Sequence, residues 1–304
     1  MFLHVAGYFK GRNFGVGCPG GVEVVAHSLR DVLRKHEQSG MALLKIDFSN
    51  AFNRVDRQVF MRATAKEFPG LANWTNWCYS QKSMLLYDHS ELIESSSGVQ
   101  QGDPLGPLYF CFALAPLVEE IRALGPEYQK WYMDDGGIVA EVPLLLKIWR
   151  ILHDKGPPLG LQLNPGKCEW SWLNASTTTD CPPELKKEGV VFVPTAEVCM
   201  LGVPLGSASF SASFVKERLF PRVRMAMERL KDINDSQSAM YLLRVSYGIV
   251  RATHFMRTTP LVHWKELAAE FDQGVRAAAE AILGVVFDDR AYDQASLTTS
   301  LGCH

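Results

Sequence analysis

The sequence predicts a mixed α+β chain in which a sheet-bearing first part gives way to an all-helical tail. Three observations lead there. Short apolar runs bounded by glycines or turn residues, such as Met41–Phe48 (MALLKIDF), have the length and flanks of buried strands. The longer apolar stretch Leu105–Leu124 opens just after a Gly-Asp-Pro and is long enough to be a buried helix. From about 212 to 285 the apolar residues recur at helical spacing. Val215, Leu219, Val223, Met227 and Leu230 mark one face, and Leu242, Val245, Ile249 and Thr253 another.

Taken in order, a Gly-rich loop (GRNFGVGCPGG) precedes a helix over Val22–Glu37, which Gly40 ends. The Met41–Phe48 strand follows, then helices over about 54–66 and 70–80 and a hairpin of Met84–Tyr87 with Leu92–Ser95. After the apolar helix, Gln129–Met133 and Gly137–Glu141 read as two strands joined by a turn at Asp134-Asp135-Gly136. A helix over about 143–155 leads to two strand-like runs, Gly160–Leu163 and Cys168–Leu173. Residues 174–188 read as a loop, Val190–Val193 and Val198–Leu201 as a further hairpin, and the last fifteen residues as a frayed tail.

Composition narrows the class. The chain has 304 residues, 47% hydrophobic and 21% charged, which excludes general disorder and suits about two domains. The longest apolar run, Pro104–Val118, carries three prolines and falls short of the ~20 residues of a membrane span, so no membrane partner is expected. The N-terminus has no signal-peptide pattern, which predicts an intracellular protein, nuclear or cytoplasmic. Seven cysteines are scattered without a C-x-x-C, so neither a disulfide framework nor a zinc site is expected.

The net charge of −2 hides an uneven distribution: +3 over residues 1–45, −6 over 46–204, +5 over 205–260 and −4 over 261–304. Basic flanks can hold phosphates, and an acidic centre can hold metal ions. Within that centre Asp47 ends an apolar strand, while Asp134 and Asp135 sit side by side at a hairpin tip. Buried strands rarely end in an unpartnered carboxylate, and adjacent carboxylates repel unless a cation lies between them. Two strands lying side by side could bring Asp47 and Asp134 together around a pair of divalent ions. A turn and a helix cap account for the same residues equally simply.

Five blocks, in order, resemble the motifs of reverse transcriptases. They are Lys45-Ile46-Asp47-Phe48-Ser49-Asn50-Ala51-Phe52, Ser97-Gly98-Val99-Gln100-Gln101-Gly102-Asp103-Pro104-Leu105, Tyr132-Met133-Asp134-Asp135, Gly160–Cys168 (GLQLNPGKC) and Met200–Gly206 (MLGVPLG). The wording is most similar to the enzymes of non-LTR (LINE-like) retrotransposons, and the upstream Phe14-Gly15-Val16-Gly17 block resembles theirs as well, with Asn13 where relatives often carry Gln.

The resemblance implies a right-hand polymerase fold: partial fingers over 1–40, an antiparallel-sheet palm over 41–206, a helical thumb-like region over 207–285 and a frayed tail over 286–304. It implies RNA-directed DNA synthesis, with an RNA template, a DNA primer and dNTPs as partners. Two Mg²⁺ ions, replaceable by Mn²⁺, are expected on Asp47, Asp134 and Asp135, with Lys167 aiding pyrophosphate departure. Phe52 matches the aromatic residue that lies under the incoming sugar and excludes a 2′-hydroxyl, which argues against an RNA polymerase. Gln101 and Gly102 match the nucleotide and template loop; Tyr132, Met133 and Gly202 match primer contacts. Lys216, Arg218, Arg222, Arg224 and Arg229 would follow duplex phosphates. The expected fingers sequence upstream is short, so two readings stand: an active polymerase core, or a truncated, non-catalytic nucleic-acid-binding remnant.

Overall fold

The computed structural model describes residues 2–88, 91–174 and 180–296. The chain divides into two compact units, Met1–Leu201 and Gly202–His304.

The first unit opens with α1 (Phe2–Phe9), α2 (Gly21–Lys35) and β1 (Met41–Ile46). Helices α3 (Ala51–Arg54), α4 (Arg57–Glu67) and α5 (Pro69–Tyr79) follow, then the hairpin of β2 (Ser83–Tyr87) and β3 (Glu91–Ser95). Asp56 caps α4 by accepting from the Val59 amide at 3.0 Å. The apolar helix α6 (Gly106–Ala123) precedes the hairpin of β4 (Tyr128–Tyr132) and β5 (Asp135–Glu141), and α7 (Val142–Lys155) comes next. Strand β6 (Glu169–Trp172), α8 (Pro183–Glu188), β7 (Val191–Phe192) and β8 (Cys199–Met200) complete the unit.

Five strands form one sheet in the order β4-β5-β1-β6-β7, antiparallel except for the parallel pair β6–β7. β1 and β5 lie inside it, with Ala42–Leu44 and Gly136–Ala140 continuously buried, which is why they read as apolar runs and not as alternating patterns. The core joins them to α6, buried along Leu108–Ala115, and to Leu145, Ile148, Trp149 and Leu152 of α7. No helix among the described residues is long and apolar enough to cross a membrane.

In the second unit β9 (Val203–Pro204) is followed by α9 (Ala208–Lys231), α10 (Ser236–Leu242), a π-helical turn (Leu243–Tyr247), α11 (Ile249–Thr258), α12 (Lys265–Leu283) and α13 (Asp289–Ser296). Its separate core joins Val215, Leu219, Val223, Met227 and Leu230 of α9 to Phe255 of α11 and to Phe271, Ala278 and Ile282 of α12.

Several sequence expectations need correction. Helix α1 was not foreseen, and α8 and α13 lie where loop and frayed tail were expected. Tyr292 of α13 is buried, its hydroxyl donating to the Asp272 carboxylate at 3.0 Å, so this part of the tail is docked; residues 175–179 and 297–304 lie outside the described residues. Gly160–Leu163 is not a strand. Two prolines and the left-handed Gly160 (φ +77°) turn the chain there, leaving a single bridge between Leu163 and Phe48. The hairpin expected from 190 to 201 does not form, because the Val191 and Val193 amides bond to the Cys168 and Trp170 carbonyls of the β6 edge.

The face expected at 242, 245, 249 and 253 is also wrong. Val245 and Ile249 are exposed, and Ala239, Leu243, Ala252 and Phe255 are buried instead. The π turn supplies the reason: Gly248 donates to the Leu243 carbonyl, five residues back, at 2.6 Å, and the extra residue rotates α11 out of the 3.6-residue period set by α10.

Candidate active site

Central strand β1 delivers Asp47 at its C-terminal end. The Asp47 backbone is fixed by the 160–168 segment: its carbonyl accepts from the Asn164 amide at 2.9 Å, and its amide faces the Cys168 sulfur at 3.4 Å. Cys168 is buried, and burial pushes its thiol up to about 11, so it is a neutral packing group. Lys167, on the short 3-10 turn Pro165–Lys167, is exposed in the same corner.

The β4–β5 hairpin brings the other two carboxylates. β1 and β5 pair through Ile46 opposite Gly136, so one residue further along lie Asp47 and Asp135. Asp135 pairs with Tyr132, so the turn itself is Met133-Asp134, not the expected Asp134-Asp135-Gly136. Gly136 is needed for another reason. A β-carbon there would lie 2.7 Å from Cε3 of Trp131, the fully buried indole across the hairpin. Met133 is left-handed (φ +53°), unusual for a residue with a β-carbon.

Asp47, Asp135 and Lys167 line one cavity of about 390 Å³, together with the ion pair of Lys45 with Glu169 at 2.7 Å. Asp134 is within electrostatic reach of the same groups. Burial raises its pKa and Asp47 adds to this, while its own backbone amide and Lys167 oppose it. Asp135 opens to solvent on one side, yet the protein packed around it, with Asp134 and Asp47, pushes its carboxyl up to about 6.

These features fit a divalent cation. One carboxylate oxygen of Asp47, Oδ1, is buried without a hydrogen-bond partner. The Asp134 and Asp135 carboxyls are both shifted toward neutrality, first by burial and then by neighbouring carboxylates, Asp47 for the one and Asp134 with Asp47 for the other. A cation reverses both penalties. Among the described residues no three His, Cys, Asp or Glu side chains make a ready-made metal group, so the three aspartates are not a closed cage. Magnesium commonly takes one or two carboxylates and completes its shell from water and substrate phosphates.

None of the remaining expected residues lines that cavity. Phe52 of α3 is half-buried and stacks on Phe110 with centroids 4.5 Å apart. Gln101 and Gly102 are exposed, and Gly102 has φ +88° with open space where a β-carbon would stand. Tyr132 and Met133 are half-buried on the hairpin that carries Asp134. Gly202 belongs to the second unit; it is exposed with φ +73°, and its carbonyl lies 3.3 Å from His254 Nε2 of α11.

Two supports escaped sequence reasoning. Tyr79 of α5 donates to Asp103 and accepts from the Gln100 amide at 3.1 Å, while Asp103 accepts from the Leu105 amide at 2.8 Å, so the loop ahead of α6 is braced from both sides. A tyrosine ending an amphipathic helix gives no such signal. The other is Asn13, whose side chain bonds to the backbone of Met133. Only a resemblance to a Gln position marked it, and its partner is 120 residues away.

An antiparallel sheet thus carries aspartates at the ends of adjacent strands, in a unit that also holds a buried helix after a Gly-Asp-Pro loop. The fold matches the telomerase of Candida albicans, in a structure with a fragment of telomeric RNA, at a TM-score of 0.50, with 14% identity over 95% of this chain and 53% of that one. The fold is thus that of the right-hand polymerases. Telomerase from Candida tropicalis aligns at a TM-score of 0.47, with 12% identity over 92% of this chain and 47% of that one. The family described as reverse transcriptase (RNA-dependent DNA polymerase) matches residues 16–208, well over half of the chain. The chain belongs to the reverse transcriptase family. It is also 26% identical over 309 aligned positions to the retrotransposable element SLACS 132 kDa protein of Trypanosoma brucei gambiense, a match that spans 97% of this chain and 24% of that protein.

Proposed function

We propose that this chain is the catalytic core of an RNA-directed DNA polymerase of the non-LTR retrotransposon type, extending a DNA primer on an RNA template with dNTPs. The observation that carries the reading is the orphaned Asp47 Oδ1 at the end of β1, beside the hairpin that holds two carboxylates shifted toward neutrality. Asp47 and Asp134, with Asp135 in support, would hold two Mg²⁺, which supply activation of the primer hydroxyl and charge neutralisation of the triphosphate.

The protein's own groups have distinct tasks. Asp47 is held by backbone bonds to the 160–168 segment, which fixes where its carboxylate stands. Lys167 supplies an exposed positive charge in the same cavity, suited to the departing pyrophosphate. The Phe52 ring, braced by Phe110, would leave no room for a 2′-hydroxyl. Gln101 and Gly102 offer an open, braced loop to nucleotide and template, and Tyr132, Met133 and Gly202 would contact the primer. Lys216, Arg218, Arg222, Arg224 and Arg229 are exposed along α9 and would follow duplex phosphates. In this reading residues 1–40 are fingers, 41–206 palm and 207–285 thumb.

The test is extension of a labelled DNA primer on an RNA template with Mg²⁺ and dNTPs. Wild type extends, and Asp134→Asn loses about a thousandfold or more in rate while still binding primer–template. A folded wild-type chain that binds primer–template and never extends it is instead the non-catalytic remnant.

A further inference from the structure

We propose that Asn13 is a positioning residue for the catalytic hairpin: its carboxamide clamps both sides of Met133 and so fixes the direction in which the turn presents Asp134. The catalytic consequence rests on the polymerase reading above; the clamp itself does not.

Asn13 is 4% exposed, and two of its three side-chain hydrogen bonds go to Met133. Its Nδ2 donates to the Met133 carbonyl at 3.0 Å, and its Oδ1 accepts from the Met133 amide at 2.9 Å. The same oxygen accepts from the Gly15 amide at 2.9 Å. Two donors meet the oxygen and one acceptor meets the nitrogen, so only this orientation of the amide satisfies every partner. Both polar groups of the Met133 backbone are thereby used, at a residue whose left-handed φ of +53° is otherwise unfavourable.

The neighbours of Asn13 reinforce the contact. The Phe14 amide donates to the Trp131 carbonyl at 2.7 Å, so residues 13 and 14 run along the edge of β4 up to its turn. Gly15 passes so close that a β-carbon there would lie 2.6 Å from Met133 Cγ and 3.0 Å from its amide nitrogen. Gly21 is pressed in the same way against the Phe14 carbonyl. Glycine at 15 lets the segment lie flat against the turn, and glycine at 21 lets the start of α2 close against that segment. The only residue between this clamp and the second strand is Asp134.

An aspartate could not replace Asn13. It would keep the two acceptances but set a carboxylate oxygen against the Met133 carbonyl, and add a negative charge beside a site already crowded with carboxylates.

Hydrogen–deuterium exchange on the full chain, without substrate, tests the clamp. In Asn13→Ala the peptide covering 128–136 loses protection while the one covering β1 keeps it. Single-turnover extension then reads the consequence: the rate at saturating dNTP falls about ten- to a hundredfold, with primer–template affinity unchanged. A double-mutant cycle separates clamping from packing. Glycine adopts the left-handed region freely, so in a Met133→Gly background the same Asn13→Ala change costs about threefold or less. Asn13→Asp, which keeps two of the three bonds, serves the same comparisons if Asn13→Ala lowers the melting temperature. Unchanged exchange at 128–136, loss of protection spread equally into β1 in both variants, or an equal penalty in both Met133 backgrounds overturns the proposal. A wild-type chain that extends no primer overturns the polymerase reading instead, and the exchange result still decides the clamp.

Discussion

Among the described residues of the first unit, two β-hairpins share an antiparallel topology and differ in fate. β4–β5 is built into the five-stranded sheet, with Trp131, Ile138 and Val139 fully buried and its turn held from outside by Asn13. β2–β3 pairs only with itself, and Met84, Leu85, Leu86, Tyr87, Leu92 and Ile93 are all exposed. Two strands alone are marginal in water. What keeps the second hairpin in place is at its foot: buried Arg57 donates to the Ser95 and Gly98 carbonyls at 2.8 and 2.9 Å, and to the Ser97 carbonyl at 3.1 Å. One hairpin is therefore fixed along its length and the other at its base. Only the first kind of support can hold a carboxylate in a constant direction.

The largest effect expected from this contrast is on the buried hairpin. Trp131→Ala empties the space under Gly136 and removes the ring stacked 6.2 Å from Phe48, at a cost of about 3–5 kcal/mol by denaturant unfolding. A smaller loss would mean that β4–β5 is less integrated than its burial indicates.

Arg57→Ala comes next. It leaves three carbonyls without their donor and frees the base of β2–β3, which should cost about 2–4 kcal/mol and raise exchange in 83–95 before the sheet. Exchange that instead rises first in β4–β5 would break the assignment of Arg57 to the second hairpin.

Phe52 connects with the same region, since its carbonyl accepts from Val99 just past β3 at 2.8 Å. Phe52→Val is expected to lower discrimination against ribonucleotides by about tenfold or more, read as the ratio of kcat/KM for dNTP and rNTP. An unchanged ratio would leave the ring as packing on Phe110 alone. Smallest of all, Leu86→Ser on the exposed hairpin should change stability by no more than about 0.5 kcal/mol.

Much of this could be read from the chain alone, and the boundary follows the range of the interactions. The apolar run Met41–Ile46, the buried helix at 106–123 and the α9 face from Val215 to Leu230 follow from local periodicity, because burying those side chains is what their pattern is for. The aspartates stood out because carboxylates at the ends of apolar strands contradict their surroundings. Tertiary structure alone decided the rest. The turn falls at Met133-Asp134 because Asp135 and Gly136 are paired into β5 opposite Tyr132 and Trp131, and the second face of the tail rotated because a π turn adds a residue to the period. Strand β7 joined β6 because an open sheet edge offered it partners that no local pattern records. Asn13 found Met133 across 120 residues for the same reason. A hydrogen bond between distant segments depends on how the chain brings them together, and a single short motif carries no trace of it.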